Sequence, residues 1–184
     1  MAFHLSIQQQ LNGQGVLIAY SGELMLMTMP SLEKIFPIFL NIIAISGAIG
    51  SIVVLKCLGR KGALIYGSFL IGIFLFIVGY NFYIFNFDDL MDNSSLSKSI
   101  FVVMIVLIRF VFSLTLGPIV WLYITEIVQP NIVPFATTLN WISVSLVNTF
   151  FPILMNLLGG NPSYIFFFFG AYTFVSGIVN CILV

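Results

Sequence analysis

The sequence predicts an all-α integral membrane protein, six transmembrane helices arranged as two inverted three-helix repeats. Three observations lead there. The 184 residues are 60% hydrophobic and 7% charged, whereas about a quarter of a soluble domain is charged. No water-soluble fold of this size can hide that much apolar surface. The apolar residues also gather into runs of about 20, enough to cross roughly 30 Å of hydrocarbon. Finally, the first and fourth runs, which lie three spans apart and so cross in opposite directions, are both interrupted by helix breakers. Broken helices at matching places in inverted triplets point to a solute site near the membrane midplane.

The expected spans are about 3–29, 35–55, 63–85, 100–124, 135–158 and 164–184, within one domain covering 1–184. Span 3–29 is the weakest on hydropathy, because QQQLNGQG at 8–15 dilutes it. Hydropathy alone would leave it an interfacial helix or a tail; its break, mirrored in the fourth run, is what makes it a span. The second and third runs are continuous, with Lys56, Arg60 and Lys61 in the loop between them. The fourth is broken at Gly117-Pro118, since proline removes a backbone hydrogen bond and clashes with the carbonyl four residues back. In lipid such a defect persists only where protein or a cavity covers it. The stretch 117–141, GPIVWLYITEIVQPNIVPFATTLNW, then sets Trp121 beside the break and leaves the membrane through Glu126 and two prolines. It re-enters as the fifth run with Asn140 and Trp141. A kinked span, an adjacent indole and an amide on the next span read as a binding site inside a helical bundle.

Orientation follows from the loops. The 56–62 loop is basic, whereas the next carries Asp88, Asp89 and Asp92 against Lys98 alone. Basic loops stay cytoplasmic, so both termini are expected there too. Asn93-Ser94-Ser95, a glycosylation sequon, falls in the loop assigned to the outside. Arg109 lies mid-span. It costs about 2.5–3.5 kcal/mol to insert, against roughly 0.3–0.6 gained per Leu, Ile, Phe or Val, and fifteen such residues between Ser99 and Trp121 outweigh it. An intramembrane charge is a functional candidate by default; the alternative is an arginine that bonds backbone carbonyls or snorkels outward.

Other classes lack their parts. Net charge is zero with no basic block, which argues against nucleic-acid or anionic-lipid binding. Cys57 and Cys181 have neither metal nor redox spacing. There is no Ser/His/Asp set, no metal-spaced His or Cys cluster and no phosphate-cradling glycine loop. The chain is therefore expected to be no enzyme and to need no cofactor or metal. The first ten residues lack the basic region of a signal peptide. His4 reads as incidental, and Glu23 has no evident partner.

Three signatures, in order and in register, resemble the sugar porter family of the major facilitator superfamily, specifically its C-terminal six-helix half. QQLNG at 9–13 with Tyr20 resembles the seventh-helix QQ-x-S/T-G-x-N…Y. Gly59-Arg60-Lys61 resembles the turn between helices eight and nine. GPIVW, TEIVQPN and Asn140-Trp141 resemble GP-x-x-W, the acid below it and the Asn/Gln-Trp of helix eleven.

The resemblance implies half of a major facilitator fold, and a facilitator or proton-coupled carrier of hexose-like solutes working by alternating access. Gln9 and Gln10 would bond sugar hydroxyls, Trp121 would pack on the ring, Asn140 would bond another hydroxyl and Trp141 would support that wall. Tyr20 would belong to the outer gate, with Gly117 and Pro118 at the hinge. Arg60 and Glu126 would belong to a charge cluster that latches the outward-open state. The chemistry suits a sugar independently, because amides both donate and accept and an indole offers a flat apolar face.

Departures from the family pattern are visible. Gly15 stands where an Asn is usual, Ala44 and Val144 where further polar groups are usual, with Asn41 and Asn148 one turn away. Ser113 replaces an acid that many relatives carry, Lys56 an acid of the cytoplasmic cluster, and Val133 lies nearest to the family's arginine after Glu126. Six helices supply one wall of the family's cavity. The expected partners are thus a monosaccharide, the lipid bilayer, and an N-terminal six-helix half or a second chain. The missing acids lean towards uniport, and the plasma membrane is the expected location. The rival reading is a non-transporting structural or accessory membrane subunit, for which no amide–indole set need converge.

Overall fold

Apolar runs in a solvent that offers no hydrogen bonds must satisfy their backbone internally, and helices do so within one segment. Every regular element that the computed structural model describes, in residues 1–84 and 95–184, is helical. In chain order these are α1 Ala2–Leu11, α2 Gln14–Ala19, α3 Ser21–Thr28, a 3-10 turn Pro30–Leu32, and α4 Phe36–Ile84. They continue as α5 Ser95–Leu114, α6 Leu116–Ile127, α7 Val133–Leu157 and α8 Ser163–Leu183. The aspartates at 88, 89 and 92 lie outside the described residues, as do Asn93 and Ser94 of the sequon.

Among the described residues four stretches are long and apolar enough to cross a membrane: Phe36–Ile84, Ser97–Ile127, Val133–Leu157 and Ser163–Leu183. The expected span 3–29 is not one of them. It is cut into three short helices, once as foreseen and once more at Tyr20. At the first cut Gly13 takes φ 73°, a left-handed conformation that an ordinary residue adopts only at a cost. The Asn12 Oδ1 accepts the Gln14 backbone N–H at 3.0 Å, an Asx turn that competes with the helix. The Phe169 ring closes over Gly13, where a Cβ would stand 2.6 Å from Phe169 Cδ2. At the second cut Tyr20, with φ −103°, ends α2 and precedes α3. Ser21-Gly22 follows it, and the Ser21 hydroxyl donates to the Ile18 carbonyl at 2.8 Å, a local turn signal that the sequence reading did not use.

The second and third expected spans run together as the 49 residues of α4, about 74 Å of helix at 1.5 Å per residue. Gly59, at φ 67° and ψ 179°, breaks it in a region open almost only to glycine. The two arms fold back on each other. A Cβ on Gly47, in the first arm, would touch Ser113, and one on Gly67, in the second, would touch Thr115. Both arms therefore pass the same turn of the chain where α5 meets α6.

That turn is also corrected. The break lies at Thr115 (φ −126°, ψ −88°), two residues before Gly117. Proline is tolerated in the first turn of a helix, where its missing N–H would have no partner anyway. The helix must therefore restart ahead of Pro118, and it does so at Leu116. The Thr115 hydroxyl donates to the Val111 carbonyl at 2.7 Å and closes the end of α5.

The core lies where the second arm of α4 meets α5 and α8. Phe82 stands edge-on to Phe101 at 5.0 Å and stacks on Phe166 at 5.8 Å. Outside it the apolar surface is open. Ile35, Ile38, Ile42, Ile45, Ile49 and Ile52 are each 57–66% exposed.

Candidate functional site

Three consecutive glutamines end α1, and successive side chains on a helix point about 100° apart. Each therefore has its own set of partners, although Gln9 and Gln10 share Asn140. Gln8 turns to the outer wall: its Nε2 donates to Ser68 Oγ at 2.7 Å, and its Oε1 accepts from Asn180 Nδ2 at 3.0 Å. Gln9 turns to the broken pair α5–α6. Its Nε2 donates to the carbonyls of Leu116 (3.1 Å) and Gly117 (2.9 Å), and its Oε1 accepts from Asn140 Nδ2 at 3.0 Å. Gln10 turns to α7, where its Nε2 donates to Asn140 Oδ1 at 2.9 Å. Its Oε1 meets no donor among the described residues. Asn140, 2% exposed, also donates to the Ser6 carbonyl at 2.9 Å. One amide on α7 thus clasps the last turn of α1, and α1 in turn clasps the first turn of α6.

Of the expected site residues, Gln9, Gln10, Asn140, Gly117 and Pro118 come together here. Trp121 lies one helical turn past Gly117, half-buried against the core. Trp141 does not join them. It is 66% exposed, because turning Asn140 inward on α7 turns its neighbour out. Asn41 is exposed as well, and so adds nothing to the cluster.

Tyr20 has a different connection from the one its position suggested. Pro152 sits inside α7 and lacks the N–H that would bond the Asn148 carbonyl four residues earlier. The Tyr20 hydroxyl donates to that carbonyl at 3.0 Å, and its ring lies 5.1 Å from Phe151. The break after α2 thus delivers a donor to the one backbone acceptor that Pro152 leaves unpaired in α7. Arg60 and Glu126 form an ion pair at 2.6 Å with side chains 50% and 38% exposed, tying the Gly59 turn to the end of α6. Exposed pairs contribute about 0–1 kcal/mol.

Two features escaped sequence reasoning. The first is the buried seam of Gln8, Ser68 and Asn180, all fully buried, with His4 beside Asn180. Its signal was Asn180, a lone amide in the apolar run of α8. His4, read as incidental, is half-buried against this seam. The second is the state of Asn148, noted in the sequence only as an amide one turn from Val144: its Oδ1 is buried without a partner among the described residues. Arg109 is half-buried, with its Nε shut from solvent and unpaired among the described residues.

The cluster offers paired amide donors and acceptors beside an indole, a set suited to a polyhydroxylated ring. A separate groove of about 430 Å³ opens between α7 and α8, lined by Leu11, Leu146, Phe150, Phe151, Phe168 and Phe169 among others. Its lining is almost wholly apolar and suits such a ring poorly. Among the described residues no three His, Cys, Asp or Glu side chains come together as metal ligands.

A family model described as Sugar (and other) transporter matches residues 1–184. No curated protein matches the chain.

Proposed function

We propose a carrier's role for this chain, which belongs to the sugar (and other) transporter family. The family moves sugars and related solutes across membranes, and several apolar helices of this chain are of membrane-crossing length. In our reading residues 1–184 form the C-terminal six-helix half of a sugar porter. The spans are the cracked segment α1–α3, the two arms of α4, the broken pair α5–α6, then α7 and α8, as two inverted triplets. Both termini face the cytoplasm, and the plasma membrane is the proposed location.

The substrate is a monosaccharide, moved by facilitated diffusion through alternating access. The observation that carries this is the convergence of Gln9, Gln10 and Asn140 on the restart of the broken fourth span. Two cracked helices facing each other across shared amides can reseat those amides without unfolding a continuous helix. Gln10 Oε1, which has no protein donor, is open to a sugar hydroxyl, and Trp121 supplies an apolar face. Gln9 and Gly117-Pro118 couple the site to the hinge. Trp141, facing outward, is set apart from these amides and is not placed on the substrate. Arg60–Glu126 is the cytoplasmic latch and Tyr20 the outer gate.

One observation favours the rival, a structural subunit: both ends of the Gln9 amide and of the Asn140 amide already have protein partners. Uptake decides between them. Proteoliposomes holding this chain with its complementary six-helix half should take up labelled hexose saturably, and Asn140→Ala should reduce uptake about tenfold or more. Uptake equal to that of empty vesicles would leave the structural reading standing.

A further inference from the structure

Beyond the amides already assigned, we infer a hydroxyl subsite over Gly15, walled by Gln10 on one side and Asn148 on the other. This deepens the carrier reading and rests on it. Gly15 lies in the first turn of α2 and carries no side chain. Where its Cβ would stand, Gln10 Oε1 is 3.6 Å away, Asn148 Oδ1 3.9 Å and Val144 Cγ2 3.6 Å. Two amide oxygens from different spans therefore border one notch, and a methyl group floors it.

Neither oxygen is satisfied. Gln10 spends its Nε2 on Asn140 and leaves Oε1 without a donor among the described residues. Asn148 Oδ1 is buried with no partner, an arrangement whose cost is removed when a donor arrives. The Asn148 Nδ2 makes no protein hydrogen bond among the described residues either. A hydroxyl fits this set, since it donates to one amide oxygen and accepts from an amide nitrogen. A cation would be a poor second choice, as no carboxylate borders the notch.

Asn148 is held in place for this task. Pro152 frees its carbonyl, and the Tyr20 hydroxyl occupies it at 3.0 Å. The backbone of Asn148 is thereby pinned to the far end of α2 while its side chain leans over the near end. One span cracked at 12–13 and again at Tyr20 thus frames a single residue of the fifth span from both sides. Removing a side chain at 15 makes the space, and Asn148 brings an amide to it from the opposite wall.

The test is a titration of the chain assembled with its complementary six-helix half in lipid nanodiscs, with D-glucose and each of its monodeoxy analogues, followed by displacement of labelled D-glucose. For the wild type, loss of one particular hydroxyl should weaken binding about three- to tenfold, the worth of one hydrogen bond. In Asn148→Ala that penalty should vanish while the penalties at other hydroxyls remain. Gly15→Ala guards against a folding defect in the first variant. Its methyl meets its neighbours at ordinary contact distances, and it should erase the same penalty by filling the notch. If both variants weaken every analogue equally, or if neither changes the pattern, the subsite is wrong while the carrier reading survives. If the wild type binds no hexose at all, both fall.

Discussion

Three neighbouring glutamines divide into three roles because a helix separates their directions, and the sequence alone could only assign them by pattern. Gln9 and Gln10 were singled out as candidates from their place in QQLNG. That Gln9 is saturated by protein, while Gln10 keeps a free oxygen, depends on which helix faces each one, and that is decided by packing. Gln9→Leu should lower stability by about 1–3 kcal/mol, since a buried amide partner is withdrawn from two carbonyls and from Asn140. Gln10→Leu should lower it by about 1 kcal/mol, with the larger effect on hexose binding. Denaturation of both variants in the same detergent would check the contrast; equal losses would refute it. Asn140 and Trp141 make the same point. Adjacent in sequence and paired in the motif, they end on opposite sides of α7 because only one face of a helix can be buried.

At the level of elements, breaks were easier to foresee than their positions. Gly117-Pro118 announced a crack in the fourth span, but proline's tolerance for a first helical turn moved the crack back to Thr115. The Asn12-Gly13 break was legible because its residues favour turns. The break at Tyr20 was not foreseen, and the long-range partner that it serves, the Asn148 carbonyl left free by Pro152, depends on packing. Gly13 tests the first break. Gly13→Ala should cost about 1–2 kcal/mol for the left-handed backbone, and more because the new methyl strikes Phe169. In a Phe169→Ala background the ring clash should go, leaving the backbone cost and a close 3.2 Å approach to Cβ of residue 169. A double-mutant cycle with no coupling between the two positions would contradict that account.

For the whole molecule, composition fixed the membrane class, and loop charge gave an orientation. What the sequence did not display was the surface of the first α4 arm. Six exposed isoleucines, from Ile35 just before the arm to Ile52 within it, recur at alternating three- and four-residue steps, the spacing by which one helix packs along another. Asn41 is exposed on the same arm, and an amide left in hydrocarbon is costly. Lipid needs no such periodicity, so this arm is where the proposed complementary half should dock. With Cys57 and Cys181 changed to serine, Ile45→Cys should cross-link to that half in the assembled membrane. Free reaction with a lipid-phase maleimide and no cross-link would put lipid there instead.

The central claim is that Gln10, Asn140 and Trp121 face one monosaccharide where two cracked spans meet. The most direct measurement is D- against L-glucose binding, read from Trp121 fluorescence in a Trp141→Phe background. We expect saturable quenching by the D-sugar, at least tenfold weaker quenching by its mirror image, and loss of both in Gln10→Ala. Equal response to the two enantiomers, or a D-glucose response untouched by Gln10→Ala, would contradict it.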